Sequence, residues 1–323
     1  MPTAIRIHEP GGPDVLSVDE VPMPEPRPGQ IVVETSVAGV NFIDVYHRTG
    51  AYPLTMPATL GVEGSGFVSA VGDGVDTFAV GDRVAWPWHF GSYATHVALD
   101  ASGVVHVPNT LDLRLATAAG VQGITAHFLT NSIVPLGDGD AALVHAGAGG
   151  VGLLLTQMLR SHGVRVFTTV GSPAKVELSR SAGAEDVFGY DDFVAGVRAA
   201  TNDKGVQAVF DGVGKTTFDG GLDALAVRGA MVLFGASSGP VPPVDPQILN
   251  TKGSLILTRP SMAHFVAAPG ELAWRSGDVY DAILGGTLDV RVGGEFALTR
   301  ASEAHVALEG RQTTGKVLLI PNE

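Results

Sequence analysis

The stretch Ala141-Ala142-Leu143-Val144-His145-Ala146-Gly147-Ala148-Gly149-Gly150-Val151-Gly152 has the residue types and spacing to hold a pyrophosphate. The apolar run Ala141 to His145 reads as a buried parallel strand that the glycines then end. Two spellings fit the turn, Gly147-x-Gly149-x-x-Gly152 and Ala146-x-x-Gly149-x-x-Gly152. Val151, Leu154, Leu155, Met158 and Leu159 follow at helical spacing, so a helix opens on the glycines. One glycine permits a tight turn, one lets phosphate approach the backbone, and one allows close helix–strand packing. Backbone N–H groups of Gly149, Gly150 and Val151 at the helix start would meet the phosphates. The second strand, Val164 to Val170, ends Thr168-Thr169-Val170-Gly171-Ser172-Pro173-Ala174-Lys175. No carboxylate stands there to hold a ribose 2′-hydroxyl or repel a 2′-phosphate. Gly171, the Ser172 hydroxyl and the Lys175 ammonium are the groups offered instead, which favours NADPH over NADH. Lys175 reads otherwise as a solvated helix charge.

Composition narrows the function classes. The chain has 323 residues, 43 glycines, no cysteine and a formal net charge of −13. Its length suggests two domains. Excess acid and only five lysines argue against binding nucleic acid or an anionic membrane surface. Without cysteine there is no disulfide, thiolate nucleophile or cysteine-ligated metal. Met1 to Glu9 lacks an apolar signal core and no run is long enough to span a membrane, so a cytoplasmic location is expected.

Two kinds of element must position these groups. From Ala4 to about Asp100 the chain reads as short strands broken by glycine and proline, a compact barrel-like β domain. Ile31 to Val40 is its strongest strand, followed by a helical turn over Asn41 to Gly50. Leu111 to Leu129 has the spacing of a helix pair. Strand–helix alternation then runs from about Gly123 to Arg259 and predicts a doubly wound parallel sheet. Its strands are Ala141–His145, Val164–Val170, Asp186–Phe188, Val206–Asp211, Ala230–Phe234 and Ser254–Thr258, with helices including Ala174–Ala182 and Phe218–Ala226. A helix over Leu272–Leu284, an amphipathic Ser302–Leu308 and a last strand Lys316–Ile320 are too little to stand alone. They should rejoin the N-terminal domain.

Several motifs give this order a family likeness: Gly39-Val40-Asn41-Phe42-Ile43-Asp44-Val45-Tyr46, Gly61-Val62-Glu63-Gly64-Ser65-Gly66 and Val80-Gly81-Asp82-Arg83-Val84. Gly139-Asp140 leading to Gly149-Gly150-Val151-Gly152, Phe210-Asp211-Gly212-Val213-Gly214, Phe234-Gly235-Ala236-Ser237-Ser238-Gly239 and Thr258-Arg259-Pro260-Ser261 complete the set. The chain resembles, nearly end to end, the NADPH:quinone oxidoreductases, the zeta-crystallin-like branch of the medium-chain dehydrogenase/reductases. The resemblance implies a GroES-like β-barrel catalytic domain, 1–122 plus 262–323, with a Rossmann NADPH-binding domain, 123–261, inserted. It also implies a homodimer. Where zinc alcohol dehydrogenases carry Gly-His-Glu this chain has Gly61-Val62-Glu63, and Val62 cannot ligate a metal. Alcohol oxidation with a Lewis acid becomes unfavoured, whereas a quinone or activated alkene needs less help.

The resemblance also implies site residues. Asn41, Asp44, Tyr46 and Tyr52 fall in the segment that lines the acceptor site in such proteins, and Asn41 and Tyr52 could donate to an acceptor oxygen. They read otherwise as a helix cap (Asn41), a surface carboxylate (Asp44) and half-buried packing residues (the tyrosines). Thr125 matches a position near the nicotinamide end, Tyr190 a position near the 2′-phosphate, and Lys316 a basic position near the cofactor, with Asn41 a further cofactor-binding candidate. Thr125 could instead bond back within its helix, Tyr190 be a surface aromatic and Lys316 an exposed strand charge. Phe234, Gly235, Ala236 and Ser237, with Leu257 and Arg259, follow later strands at their carboxyl ends, where such sheets bind ligands. The implied reaction is metal-free, NADPH-dependent quinone reduction. Reduction of enoyl or alkenal substrates is the near alternative, and a non-catalytic RNA-binding or crystallin role the distant one. Ser254 to Thr258 would be an apolar edge strand in a monomer, covered by a second subunit or within the chain.

Overall fold

A computed structural model describes residues 1–321. The chain forms two units, Met1–Ile124 with Pro269–Glu323, and Thr125–Ala268. Relative to the expected divisions at 122/123 and 261/262, the segment after Ser261 stays with the second unit. Phe265 stacks on Phe128 at 4.5 Å, and the Thr125 hydroxyl lies 3.9 Å from the Met262 sulfur.

The first unit begins with β1 (Thr3–Ile7), β2 (Ser17–Glu20) and β3 (Gln30–Val40), then α1 (Phe42–Arg48). β4 (Ala58–Thr59), β5 (Gly64–Val71), β6 (Arg83–Trp86), β7 (His96–Asp100) and β8 (Val105–His106) follow. β3 organises them. Its Gln30–Glu34 half pairs with β7, and β5 pairs along its other edge. Buried Ile31, Val33 and Val97 pack on one cluster with Trp86, and Ala38, Val40 and Leu60 on another with Ile5 and Tyr93. The expected helix pair is α2 (Leu113–Ala118) and α3 (Gly120–Phe128).

The second unit is a six-stranded, all-parallel sheet. Its elements are β9 (Ala141–Val144), α4 (Gly150–Ser161), β10 (Arg165–Thr169), α5 (Val176–Ser181), β11 (Asp186–Phe188), α6 (Phe193–Ala200) and β12 (Val206–Asp211). α7 (Phe218–Ala224), β13 (Leu225–Leu233), α8 (Gln247–Thr251) and β14 (Ile256–Thr258) complete it. The strand order β11-β10-β9-β12-β13-β14 is that of a Rossmann sheet, and it reverses between β9 and β12. Leu143, Phe167, Val209 and Met231, all fully buried, form its core. Two local expectations change. A 3₁₀ turn, Pro173–Lys175, precedes α5, so Lys175 stands before the α-helix rather than within its first turn. The chain at Leu225 is already strand, because parallel pairing of Val206 with Leu225 overrides the helical spacing.

The chain then returns to the first unit with α9 (Glu271–Leu284), β15 (Val292–Ala297), α10 (Ala301–Glu309) and β16 (Lys316–Ile320). β16 pairs antiparallel with Ala38–Val40 of β3, and β15 pairs parallel with β16. β15 is illegible in the sequence because Gly293 and Gly294 interrupt its pattern. Gly293 has no room for a side chain against the Thr314 carbonyl.

Candidate functional site

Each unit carries its own constellation, and the first unit's centres on a buried carboxylate. Glu63 precedes β5, is 1% exposed and accepts three hydrogen bonds. Its Oε1 takes the Lys316 ammonium and the Asn41 amide, the latter at 2.7 Å. Its Oε2 takes the Val121 N–H at the start of α3, at 2.6 Å. Lys316 is itself fully buried and also donates to Asn41 Oδ1 at 2.8 Å. A Cβ on Gly39 or Gly120 would stand 2.5 Å from a Glu63 carboxylate oxygen, so glycine at both positions makes the cluster possible. Such a pair is tolerable in the interior only because further hydrogen bonds complete it.

This geometry changes the reading of two residues. Lys316 is no exposed strand charge, and its ammonium faces Glu63 and Asn41 rather than solvent. The Asn41 amide is occupied on both sides, with Nδ2 also 3.4 Å from the Gly39 carbonyl. A donor for an acceptor oxygen must come from elsewhere.

A second buried chain runs beside the first. Asp44, in the first turn of α1, accepts the Asn41 backbone N–H and the Tyr93 hydroxyl, both at 2.8 Å, through Oδ2. Its direction is fixed from the far end. Arg48 can only donate, so His305 Nδ1, 3.0 Å away, is the acceptor. The His305 proton therefore sits on Nε2, facing the Tyr93 oxygen at 3.3 Å. Arg48 also grips Glu309 with two bonds of 2.8 and 2.9 Å. Burial, with the Arg48 charge added, holds His305 down at about 3 and neutral. Burial pushes Asp44 up to about 7, against the lowering effect of its hydrogen bonds and Lys316. Its Oδ1 has no hydrogen-bond partner. The surface-carboxylate reading of Asp44 is thereby replaced.

An aromatic ledge continues from α1. The Tyr46 and Tyr52 rings meet edge-on at 5.3 Å, His47 meets Phe90 at 5.0 Å, and Phe90 meets Trp88 at 6.3 Å. His47 donates from Nδ1 to the Tyr52 carbonyl at 3.1 Å, leaving Nε2 bare and buried. Tyr52 is 41% exposed. His47, Trp88 and Phe90 were not legible as partners, because nothing in their spacing joins them to Tyr52.

In the second unit, Ala146 takes the left-handed conformation (φ 56°) and Gly149 caps α4. Gly147 packs on Thr168 and Ser179, and Gly152 on the Ala146 carbonyl, so both spellings of the turn contribute. Thr125 points at Met262 rather than back along its helix. Ser172 is extended before the Pro173–Lys175 turn, and the Tyr190 ring edge lies 3.9 Å from where a Gly171 Cβ would stand. Tyr190 is half-buried and also faces His145 at 6.2 Å, a buried imidazole held neutral by burial, at about 4. Leu257 lies in β14, and exposed Arg259 donates to the Leu233 carbonyl at 3.1 Å. Phe234, Gly235, Ala236 and Ser237 are half-buried in one loop after β13.

Comparison with known proteins fits both halves. Residues 27–109 match the alcohol dehydrogenase GroES-like domain, and residues 150–269 the zinc-binding dehydrogenase model. A Salmonella typhimurium quinone oxidoreductase is 39% identical over 99% of this chain and all of its own. A Burkholderia 2-haloacrylate reductase is 36% identical over 99% of both. A mycobacterial protein solved with NADPH superposes with a TM-score of 0.96 at 47% identity, covering 99% of this chain and 100% of that one. The Escherichia coli quinone oxidoreductase complexed with NADPH gives 0.97 at 38%, with the same coverage. A catalytic zinc does not fit the residues present. Val62 is apolar and buried, and the ammonium of Lys316 already neutralises the neighbouring carboxylate. Among the described residues, no group of three or more His, Asp or Glu is placed to hold a metal.

The Asp44 chain predicts a pH signature. With its pKa raised from 3.8 to about 7, the folded protein holds a proton that the unfolded chain releases. Asp44 therefore lowers stability as pH rises from about 4 to 7, by at most about 4 kcal/mol. Asp44→Asn should flatten this dependence, gaining relative to the unmodified protein as pH rises. Thermal unfolding at pH 5 and pH 8 checks it, and parallel curves for the two proteins would refute it.

Proposed function

Because the chain belongs to the quinone oxidoreductases of the medium-chain dehydrogenase/reductase family, we propose that its Tyr52 ledge receives the acceptor and that residues around Lys175 select the cofactor. The enzyme reduces quinones with NADPH, which when bound supplies the hydride. The part-exposed Tyr52 side chain, on a ledge of aromatic rings, is the observation that carries the acceptor assignment. Flat aromatic rings suit a planar acceptor, and a phenol can donate to the oxygen that gains charge. Asn41 serves through the Glu63–Lys316 cluster, and Tyr46 by supporting the Tyr52 ring. Conjugated alkenes are the second reading, favoured by the likeness to a 2-haloacrylate reductase. No helix among the described residues is long and apolar enough to cross a membrane, and we infer a cytoplasmic enzyme.

A steady-state screen of NADPH oxidation with quinones against enones tests the assignment, and Tyr52→Phe tests its donor. That variant should lose about tenfold in kcat/KM with NADPH affinity unchanged. An unchanged kcat/KM would remove Tyr52 from the role.

For the cofactor, Gly171, Ser172, Lys175 and Tyr190 are proposed to meet the 2′-phosphate. The backbone of Gly149, Gly150 and Val151 would hold the pyrophosphate. Thr125, Phe234, Gly235, Ala236, Ser237, Leu257 and Arg259 are proposed to complete the contacts. A charge-assisted bond contributes about 1.5–3 kcal/mol, so Lys175→Ala should weaken NADPH roughly ten- to a hundredfold and leave NADH nearly untouched. Titration of both dinucleotides decides it, and equal affinities in the unmodified enzyme would overturn the assignment.

A homodimer is also proposed. β14 is the terminal strand of its sheet, and Ile256 there is 58% exposed. Pairing across two subunits would cover that edge. Sedimentation should show a dimer at micromolar concentration, and a stable monomer would contradict it.

A further inference from the structure

We propose that Asp211 is a positioning residue that sets the shape of the two cofactor loops at the end of the sheet. The inference rests on the reading that Phe234 to Ser237 meet NADPH. Asp211 ends β12 and is fully buried, and neither of its carboxylate oxygens is left for a ligand. Oδ1 accepts the backbone N–H groups of Val213 at 2.7 Å and Gly214 at 2.9 Å. Oδ2 accepts the Thr217 hydroxyl at 2.8 Å. One side chain thus holds the turn that follows its own strand, with Gly214 in the left-handed region at φ 90°.

That turn is the surface on which the next loop is laid. The Phe234 N–H donates to the Asp211 carbonyl at 2.8 Å, and the Ser237 N–H to the Gly212 carbonyl at 3.2 Å. Ser238 donates to the Val213 carbonyl from both its N–H and its hydroxyl, each at 2.8 Å. The return contacts run from Lys215 N–H to the Gly239 carbonyl at 3.2 Å and from Thr216 N–H to the Ser238 hydroxyl at 3.1 Å. A Cβ on Gly235 would stand 2.5 Å from the Gly212 carbonyl oxygen, so the two loops lie backbone to backbone. A loop packed this closely copies the shape of its template. Releasing the Gly212–Gly214 turn therefore displaces Phe234 to Ser237, while the acceptor ledge belongs to the other unit.

The test measures NADPH binding by titration and acceptor KM by steady-state kinetics on the full-length enzyme. Asp211→Ala should weaken NADPH about tenfold or more, with quinone KM within about twofold. Asp211→Asn should restore near-normal binding. Its amide oxygen keeps both N–H bonds, and the Thr217 hydroxyl can turn to accept from the amide nitrogen while donating to the Gly214 carbonyl, 3.2 Å away. Thr217→Val, which removes the hydroxyl's contacts with Asp211 and the Gly214 carbonyl but leaves both N–H bonds to Oδ1, should weaken NADPH about threefold. It decides the matter if Asp211→Ala fails to fold. Unchanged NADPH binding in a folded Asp211→Ala, or in Thr217→Val if that variant alone folds, overturns the proposal. So does failure of Asp211→Asn to restore binding. Ala236→Trp reports separately on the loop: if that bulky residue leaves NADPH affinity intact, the reading that the loop meets the cofactor is what has failed.

Discussion

The Glu63–Lys316 ion pair is the constraint on which the catalytic unit depends. A carboxylate and an ammonium, both sealed from water, are stable together only while every remaining lone pair and proton has a partner. Glu63 meets that demand by drawing in the end of β3 through Asn41, the start of β16 through Lys316 and the start of α3 through Val121. Segments distant in the chain are held at one point. Losing one partner of such a pair generally costs about 3–5 kcal/mol, because the other charge is left buried and uncompensated. Gly39 and Gly120 are required by the same carboxylate, which occupies the space that their side chains would fill.

The Arg48–His305–Tyr93–Asp44 chain repeats the device on a smaller scale. A guanidinium that can only donate fixes the tautomer of His305, and through Tyr93 the environment of Asp44. α10, from the returning C-terminal segment, is thereby tied to α1, which carries Tyr46 and leads to Tyr52. The nucleotide unit works differently. There the buried carboxylate of Asp211 organises main chain rather than pairing with a cation.

These differences explain what the sequence could show. The glycine turn, the alternation of strands and helices and the apolar run of β3 follow from local pattern, and each was legible. So was the return of the C-terminal segment, whose few elements are too little to stand alone. The charged clusters were not. Asp44 and Tyr93 are separated along the chain, and His305 lies at the far end of it, so no spacing links them. Only a carboxylate between glycines, at Gly61-Val62-Glu63-Gly64, hinted that Glu63 is buried. Lys316 could be read as a cofactor contact or a surface charge, because a lysine at a strand's first position looks the same in either case until its partner is known.

The absence of histidine at position 62 acquires a physical meaning from that partner. In this chain the carboxylate of Glu63 faces an ammonium carried by the protein itself, and the polar atoms around it are already paired. A divalent cation there would have to displace Lys316 and find donors where Val62 offers none. The acceptors that suit such a site spread their incoming charge over conjugated atoms, so a phenol at the surface can suffice where an alcohol's oxygen would need a Lewis acid. Fixed internal charge and an exposed tyrosine thus belong to one solution. The first ties β3, β16 and α3 together, and the second is the group proposed to meet the substrate.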